Sequence, residues 1–427
     1  MAGGESTSTR QIPGAGAAGA YARRVSVPIG RRVAAPCSAM PGRPAWIVAP
    51  RLLTVGEQGE RHASWLELFF DLVFVVAVTE LSRELVAHHS PMGFLRFAAL
   101  FVPVYVAWQG YMAYATRFDT DDLLFRVAYF AAMLAIAAMA VLIQDVARGV
   151  HSTEFALAYV ALRSFMLALY GRAWRSVPEA RPLVRFYAGG YALGVAIWLV
   201  SLAFPPPGRY IVWVIAQVLE LSLPPLSTRL HRRIPTSPTH LPERWALFTL
   251  IVLGESVVAV AVGTSGQHWR AASVSAAVLG FAAVACVWWL YFDHQASVAL
   301  RGSTMSIVVY SYAHIPLLLG LAAMSAGVRM LIEGASQTSL GAGPSVALLG
   351  GAALFLMSLV GTRIVTVHGQ HRRGVALKAL ACAFMLALLA AQSVLPPLVL
   401  AGGLAIILAG VVVAERVLIG QSPQTAS

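Results

Sequence analysis

Trp65-Leu-Glu67-Leu-Phe-Phe-Asp71-Leu-Val-Phe-Val-Val-Ala-Val-Thr-Glu80-Leu-Ser82 is the stretch whose reading decides the fold. At about 1.5 Å of rise per residue it is close to the length needed to cross the hydrocarbon core of a bilayer as one helix. Three carboxylates, Glu67, Asp71 and Glu80, lie within it. A charge is costly in hydrocarbon, and an ionisable group in a spanning helix ordinarily faces a bundle interior or a watery cavity. Glu67 and Asp71 are four positions apart, so they share one helix face, one turn from each other. Two like charges that close suit a shared proton or a bound cation. Ser64-Trp-Leu-Glu67 also has the form of a capping box, in which Ser64 and Glu67 satisfy the first backbone donors of a helix. Glu67 therefore keeps two roles open, whereas Asp71 lies a turn beyond the reach of a cap.

Outward from this stretch the same texture repeats. Of 427 residues, 58% are hydrophobic and 12% charged, about half the charged share of soluble domains. Apolar runs of about 20 residues fall near 65–86, 94–115, 124–146, 153–171, 184–204, 210–228, 243–263, 270–293, 306–330, 344–367, 375–395 and 398–419. Each is near the spanning length, which predicts an all-α polytopic membrane bundle of about 12 transmembrane helices. Residues 1–60, rich in Gly, Ala, Pro, Ser and Arg and without a signal-peptide core, are expected to be a disordered cytosolic tail. Residues 229–242 read as a cytosolic linker and 421–427 as a second tail.

The net charge is +12, and Lys378 is the single lysine. Because the arginines stand between apolar runs, they are read as orienting helices rather than binding nucleic acid. Alternate connections hold Arg172, Arg175, Arg181 and Arg185, then Arg229, Arg232, Arg233 and Arg244, then Arg372, Arg373 and Lys378; the intervening ones hold little beyond Arg83, Arg96, Arg148, Arg209, Arg270 and Arg329. By the positive-inside rule this asymmetry predicts an even number of spans with both termini cytosolic, in a bacterial cytoplasmic (inner) membrane. Cys37, Cys286 and Cys382 are isolated and form neither a disulfide framework nor a metal spacing.

An internal echo divides the runs into two sixes, 61–228 and 243–420. Glu67 and Glu80 of the first run are matched by Glu243 and Glu255 of the seventh, Phe204-Pro-Pro-Pro207 by Leu395-Pro-Pro397, and Glu220 by Glu415. Trp108, Tyr111 and Asp119 are matched by the Trp289-Leu-Tyr-Phe-Asp293 ending of the eighth run. Because six is even, the two halves are expected to lie parallel, related by an axis along the membrane normal.

Glu67-Leu-Phe-Phe-Asp-Leu-Val-Phe-Val, preceded by Arg61-His62, resembles the opening signature of the bacterial low temperature requirement A family of multi-pass membrane proteins. Glu243-Arg-Trp-Ala-Leu-Phe-Thr-Leu-Ile-Val-Leu-Gly-Glu255-Ser256 and Trp288-Trp-Leu-Tyr-Phe-Asp293 resemble two further hallmarks of it. The likeness covers about residues 60–420 and implies the multi-pass fold; the family is named for growth at low temperature, not for a reaction. Phe69-Phe-Asp71-Leu-Val-Phe-Val is also similar to the first helix of the potassium channels built on a Phe-Ser-Asp motif. Phe70 stands where those have serine and the seventh run has no such motif, which speaks against a pore of that design.

If the first and seventh crossings meet, Glu67, Asp71 and Glu243 form an inner cluster and Glu80 and Glu255 an outer one, a ladder suited to protons or monovalent cations. Glu243, following Pro242, also fits an ordinary helix start. Glu255 lies mid-helix beside Gly254, where a glycine permits close helix approach. Arg163, deep in the fourth run, is the expected counter-charge, while Asp145 and Glu220 look structural. Asp119-Thr-Asp-Asp122 reads as a solvated turn capping the third helix, Asp293 ends the eighth, and His314 beside Pro316 is expected to be a hydrogen-bonded core histidine. There is no Ser-His-Asp set, phosphate loop or HExxH, so neither enzymatic activity nor a cofactor or metal is expected. The function expected is that of a secondary transporter or ion-conducting protein with Glu67, Asp71, Glu80 and Glu255 as proton or cation sites. The alternative is a membrane sensor or scaffold, binding lipid or a protein partner, in which the acids only pack helices. The bilayer is the one partner both readings share, with room for a homo-oligomer.

Overall fold

A computed structural model of the protein describes residues 46–53, 64–232, 234, 240–293, 304–366 and 372–420. The tails at 1–45 and 421–427, residues 54–63 with Arg61 and His62 among them, and linker positions 233 and 235–239 lie outside the described residues.

The described chain is a helix bundle. Its long helices are α1 (Trp65–Ala87), α2 (Pro91–Ala115), α3 (Leu123–Ala147), α4 (Ser152–Ser176), α5 (Arg181–Ser201), α6 (Gly208–Leu226), α7 (His240–Ser265), α8 (Ala271–Phe292), α9 (Thr304–Glu333), α10 (Gly351–Thr366), α11 (Arg372–Ala390) and α12 (Pro397–Gly420). Among the described residues, ten helices are long and apolar enough to cross a membrane. The two outside that set are α1, which carries Glu67, Asp71, Glu80, Arg83 and Glu84, and α6, which carries Arg209, Gln217 and Glu220. Most expected boundaries hold to within three residues, and α7, beginning at His240, takes its first three positions from the linker. The larger departures are α4, which continues to Ser176, α11, which stops at Ala390, and the tenth run, whose first turns lie in Ala342–Gly350 ahead of α10. Side chains such as Leu134 and Val141 point outward, 73% and 75% exposed, as suits a surface solvated by lipid.

Packing is organised on α9, whose spanning window is 78% buried. It touches α1, α7, α8 and α10, and α1 also touches α7. The neighbour order α1–α2, α1–α3, α3–α4, α4–α5, α5–α6, α2–α6 recurs as α7–α8, α7–α9, α9–α10, α10–α11, α11–α12, α8–α12. Asp71 pairs with Arg244 and, further along both helices, Thr79 with Glu255, so α1 and α7 run parallel. Lipid tails are as apolar as leucine, so helices associate in a bilayer by close packing rather than by a hydrophobic drive. Gly320 and Gly327 of α9 supply that contact: a Cβ at Gly320 would stand 2.6 Å from the Gly351 carbonyl oxygen, and one at Gly327 2.4 Å from the Leu348 nitrogen. Leu348 lies in a π turn, Val346–Gly350, that leads into α10. Gly254, expected to allow close approach, faces outward with no atom within 4 Å of its would-be Cβ. The adjacent Glu255 points the other way because successive helical residues differ by about 100°.

At the end of the bundle where α1 begins, Trp46–Leu53 forms a strap. Arg51 and Leu52 pair antiparallel with Asp119 and Phe118. Asp122 caps α3 through the Phe125 N–H at 3.0 Å, accepts the Val48 N–H at 3.0 Å, and is bridged at 2.7 Å by Arg172. Burial alone would raise the Asp122 pKa, but the Arg172 guanidinium and the two backbone N–H donors outweigh it and hold the carboxyl below its usual value. The acidic turn is thus a cap, as expected, but Asp122 is buried and organises a neighbouring segment instead of being solvated. The expected 1–60 tail likewise gives up residues 46–53 to the folded body, because Asp122 and Arg172 offer that backbone hydrogen-bond partners that water alone would otherwise supply.

His231, in the short helix Thr228–His231 after α6, sits at the same end. Arg117 donates to its Nδ1 at 2.7 Å, which leaves the proton on Nε2, 3.0 Å from the Tyr187 hydroxyl. Burial, then the Arg117 charge, push its pKa from 6.5 down to about 2. The folded protein therefore holds His231 neutral while the unfolded chain protonates it near 6.5, so stability is full above that pH and is lost as pH falls below it. The melting temperature is expected to fall between pH 7 and pH 5, and His231→Gln, which can still accept from Arg117, to flatten that slope. An unchanged slope in the variant would assign the acid sensitivity elsewhere.

Candidate functional site

Two polar clusters lie at different depths of the seam where α1, α7 and α9 meet. The inner one is built on the first two turns of α1. Ser64 caps the helix, its Oγ accepting the Glu67 N–H at 3.3 Å and donating to Glu67 Oε1 at 3.0 Å. Glu67 Oε2 also meets Arg244 of α7 at 3.1 Å, so this residue both belongs to the cap and is ion-paired. Asp71 Oδ1 accepts from Arg244 Nη2 at 3.0 Å and from Trp108 Nε1 of α2 at 2.8 Å. Asp71, Arg244 and Trp108 are 0–1% exposed. Trp108 stacks on Phe248 at 4.1 Å and meets Trp245 edge-on at 6.2 Å. Below them Trp245 donates to Tyr105, which donates to the Ser311 carbonyl at 2.7 Å. The inner acids thus stand in a dry, aromatic-walled salt cluster, not on a wet surface as expected. Arg244, near the start of α7, supplies their counter-charge, bonding Asp71 through Oδ1 while Asp71 Oδ2 stays buried without a hydrogen-bond partner among the described residues.

The outer cluster faces open space. Thr79, Ser82, Arg83, Gln144, Glu255, Ser325 and Arg329 line a cavity of about 390 Å³ among α1, α3, α7 and α9. Glu255 is held by the Thr79 hydroxyl and lies ten residues, about 15 Å, from the end of α7. Glu80 stands behind the cavity wall, accepting from Gln144 at 2.6 Å and from Arg83 at 2.6 Å. Between the clusters, eight residues of α1 span about 12 Å, and Phe74, Val78, Phe248 and Val252 there are 0–1% exposed. The acids therefore do not form a continuous ladder: a dry plug separates them.

The remaining expected residues are elsewhere. Arg163 is not the counter-charge of the seam acids, because α4 turns it toward α6, where it pairs with Glu220 and donates to Tyr159 at 3.1 Å. Glu243 lies half-buried in the first turn of α7. Asp293 ends α8 at the surface, accepting from Trp289 at 2.6 Å and Arg416 at 2.8 Å. His314 is in the core, its Nδ1 donating to the Tyr310 carbonyl at 2.7 Å and its Nε2 accepting from Tyr291 at 3.0 Å. Both its ring nitrogens are engaged, so it has none to offer a metal. Among the described residues no group of three His, Cys, Asp or Glu is placed to hold a metal ion. The partner that sequence reasoning misses is Arg244, which by position falls with the loop arginines. Its signal is present, since an arginine between Glu243 and a tryptophan, already inside an apolar run, is poorly placed to be solvated.

A family model described as bacterial low temperature requirement A protein matches residues 62–413, which contain both clusters. An uncharacterised protein of Rhizobium meliloti (strain 1021) is 26% identical over 333 residues, 70% of this chain and 80% of that protein. With most of its length so matched, the chain belongs to the bacterial low temperature requirement A family.

Proposed function

We propose that this protein is a secondary transporter of the bacterial cytoplasmic membrane, made of two parallel six-helix halves with both termini cytosolic, that moves a small solute or ion through the α1–α7–α9 seam. One observation carries it: on the same seam, a cavity containing Glu255 opens at one depth while a buried ion cluster, Arg244 with Glu67 and Asp71, closes the other. That is the arrangement alternating access requires, with one mouth open and one shut. An open channel would instead need a continuous wet path, and the plug of Phe74, Val78, Phe248 and Val252 argues against one. In this mechanism Glu255 exchanges a proton or monovalent cation with water, and Glu80 behind it holds Arg83 and Gln144 in place.

In proteoliposomes carrying proton, Na⁺ or K⁺ gradients, Glu255→Gln is expected to cut flux at least tenfold while the purified protein keeps its melting temperature. Equal flux from the variant and the parent would remove Glu255 from the mechanism. A sensor or scaffold is favoured by a different observation: Glu67, Asp71, Glu220 and Glu415 are all ion-paired in the interior, which binds helices together with no ion passing. That reading expects melting temperatures independent of Na⁺ and K⁺, since a ligand that binds only the folded state stabilises it by mass action.

A further inference from the structure

We propose that the cavity between α1, α7 and α9 takes a small zwitterion, a solute of about amino-acid size with one carboxylate and one ammonium. As the substrate class of the transporter, it rests on that reading. The lining carries both charges on different helices: Glu255 comes from α7, Arg83 from α1 and Arg329 from α9. A site for a bare cation needs no guanidinium, and a site for a bare anion needs no carboxylate at its wall. Both guanidinium groups are available. Arg83 is held by Glu80 three residues before it and Arg329 by Glu333 four residues after it, with arginine side chains 53% and 28% exposed. Ion pairs at such exposure contribute little to stability, so an incoming carboxylate, which a guanidinium binds through two parallel hydrogen bonds, displaces them readily.

Glu255 is the opposite case. It is 6% exposed and its hydrogen-bond partner is the neutral Thr79 hydroxyl; Arg83 and Arg329 act on its charge through space rather than through a hydrogen bond, so an ammonium can pair with the carboxylate directly. Ser82 and Ser325 add hydroxyls near it, each presently bonded to a backbone carbonyl of α9 and able to turn an oxygen toward an N–H donor. Val86, Ala87, Val258, Ala259 and Val262 supply the apolar remainder of the wall. The volume, about 390 Å³, falls in the usual range of roughly 300–1,000 Å³ for small-molecule sites.

The test is a thermal-shift titration of the purified full-length protein in detergent, with L-alanine and L-proline as zwitterions and with acetate and methylammonium as the separate halves. A zwitterion is expected to raise the melting temperature by several degrees at concentrations where acetate and methylammonium do little. Glu255→Gln, which is isosteric, and Arg329→Gln, which is shorter and removes the guanidinium, are each expected to weaken zwitterion affinity at least tenfold, and Val258→Trp, which fills the cavity, to abolish it. Acetate as effective as the zwitterions would mark an anion site, methylammonium as effective a cation site, and no shift with any of the four would mean no such site; each overturns the proposal. Binding without flux in proteoliposomes would leave the site standing and overturn transport, whereas Glu255-dependent cation flux without zwitterion binding would do the reverse.

Discussion

Arg244→Met is expected to destabilise the protein by about 3–5 kcal/mol, the cost of removing one partner of a buried ion pair and leaving the other charged. Here one guanidinium serves two carboxylates, Glu67 and Asp71, at 3.1 and 3.0 Å, so its loss leaves like charges one turn apart in a dry wall of Trp108, Trp245 and Phe248. The single variant should elute partly aggregated from size exclusion and melt far below the parent. Methionine fills much of the volume, so the loss is not chiefly one of packing. The decisive comparison adds Glu67→Gln and Asp71→Asn to Arg244→Met. Neutralising all three removes the uncompensated charge, and the amide oxygen introduced by Asp71→Asn can still accept the Trp108 N–H, so the triple variant should recover most of the lost melting temperature. If the single variant melts with the parent, the three charges do not form the cluster described. If the triple variant is no better than the single, packing rather than charge sets its cost.

Gly327→Val and Gly320→Val are the next largest. A Cβ at Gly327 would lie 2.4 and 2.5 Å from the Leu348 nitrogen and Cα, and one at Gly320 2.6 and 2.9 Å from the Gly351 oxygen and the Phe355 nitrogen. Every one of these is a backbone atom, so no rotamer change relieves the clash and α10 must move as a body. Overpacking costs typically about 1–3 kcal/mol, and the branched side chain at the tightest helix pair of the bundle should reach or exceed the top of that range. Gly254→Val and Gly402→Val are the controls, since nothing lies within 4 Å of a Cβ at either; they should melt within a degree or two of the parent. Comparable losses at all four positions would mean that helix propensity, not the α9–α10 contact, is being measured. The same contact explains why the helix around α10 contains a π turn. Gly327 admits the Leu348 backbone, and the wider turn Val346–Gly350 brings it there.

The helices are legible in the sequence because hydropathy is a local property. A run of about 20 apolar residues has few options but to span, and the expected boundaries of α1, α3 and α12 differ from those observed by at most one residue at each end. The seam is legible in part. The acids of the first and seventh runs point to α1 and α7, which do meet, and Glu255 does line a cavity. Which acid is dry and which is wet is not legible, since that depends on what stands opposite. Arg244 and Lys378 read as loop cations by position, yet both are buried at 1%, each against a carboxylate. The depth of Arg163 in its run does mark it as too far from water to be solvated, but its partner, Glu220, comes from a helix that sequence order alone does not place beside it.

What the sequence determined by itself was a membrane-spanning chain with ionisable groups too deep to be idle, because the cost of burying a charge in hydrocarbon is the same whatever the fold. What only the tertiary structure decided was the pairing: one arginine shuts Glu67 and Asp71 away, while Glu255, on the same helix as that arginine and about 16 Å along it, opens on a cavity. Periodicity fixes which face of a helix a residue occupies, but not which helix that face will meet, and a carboxylate against a guanidinium and a carboxylate against a hydroxyl and open space do different chemistry.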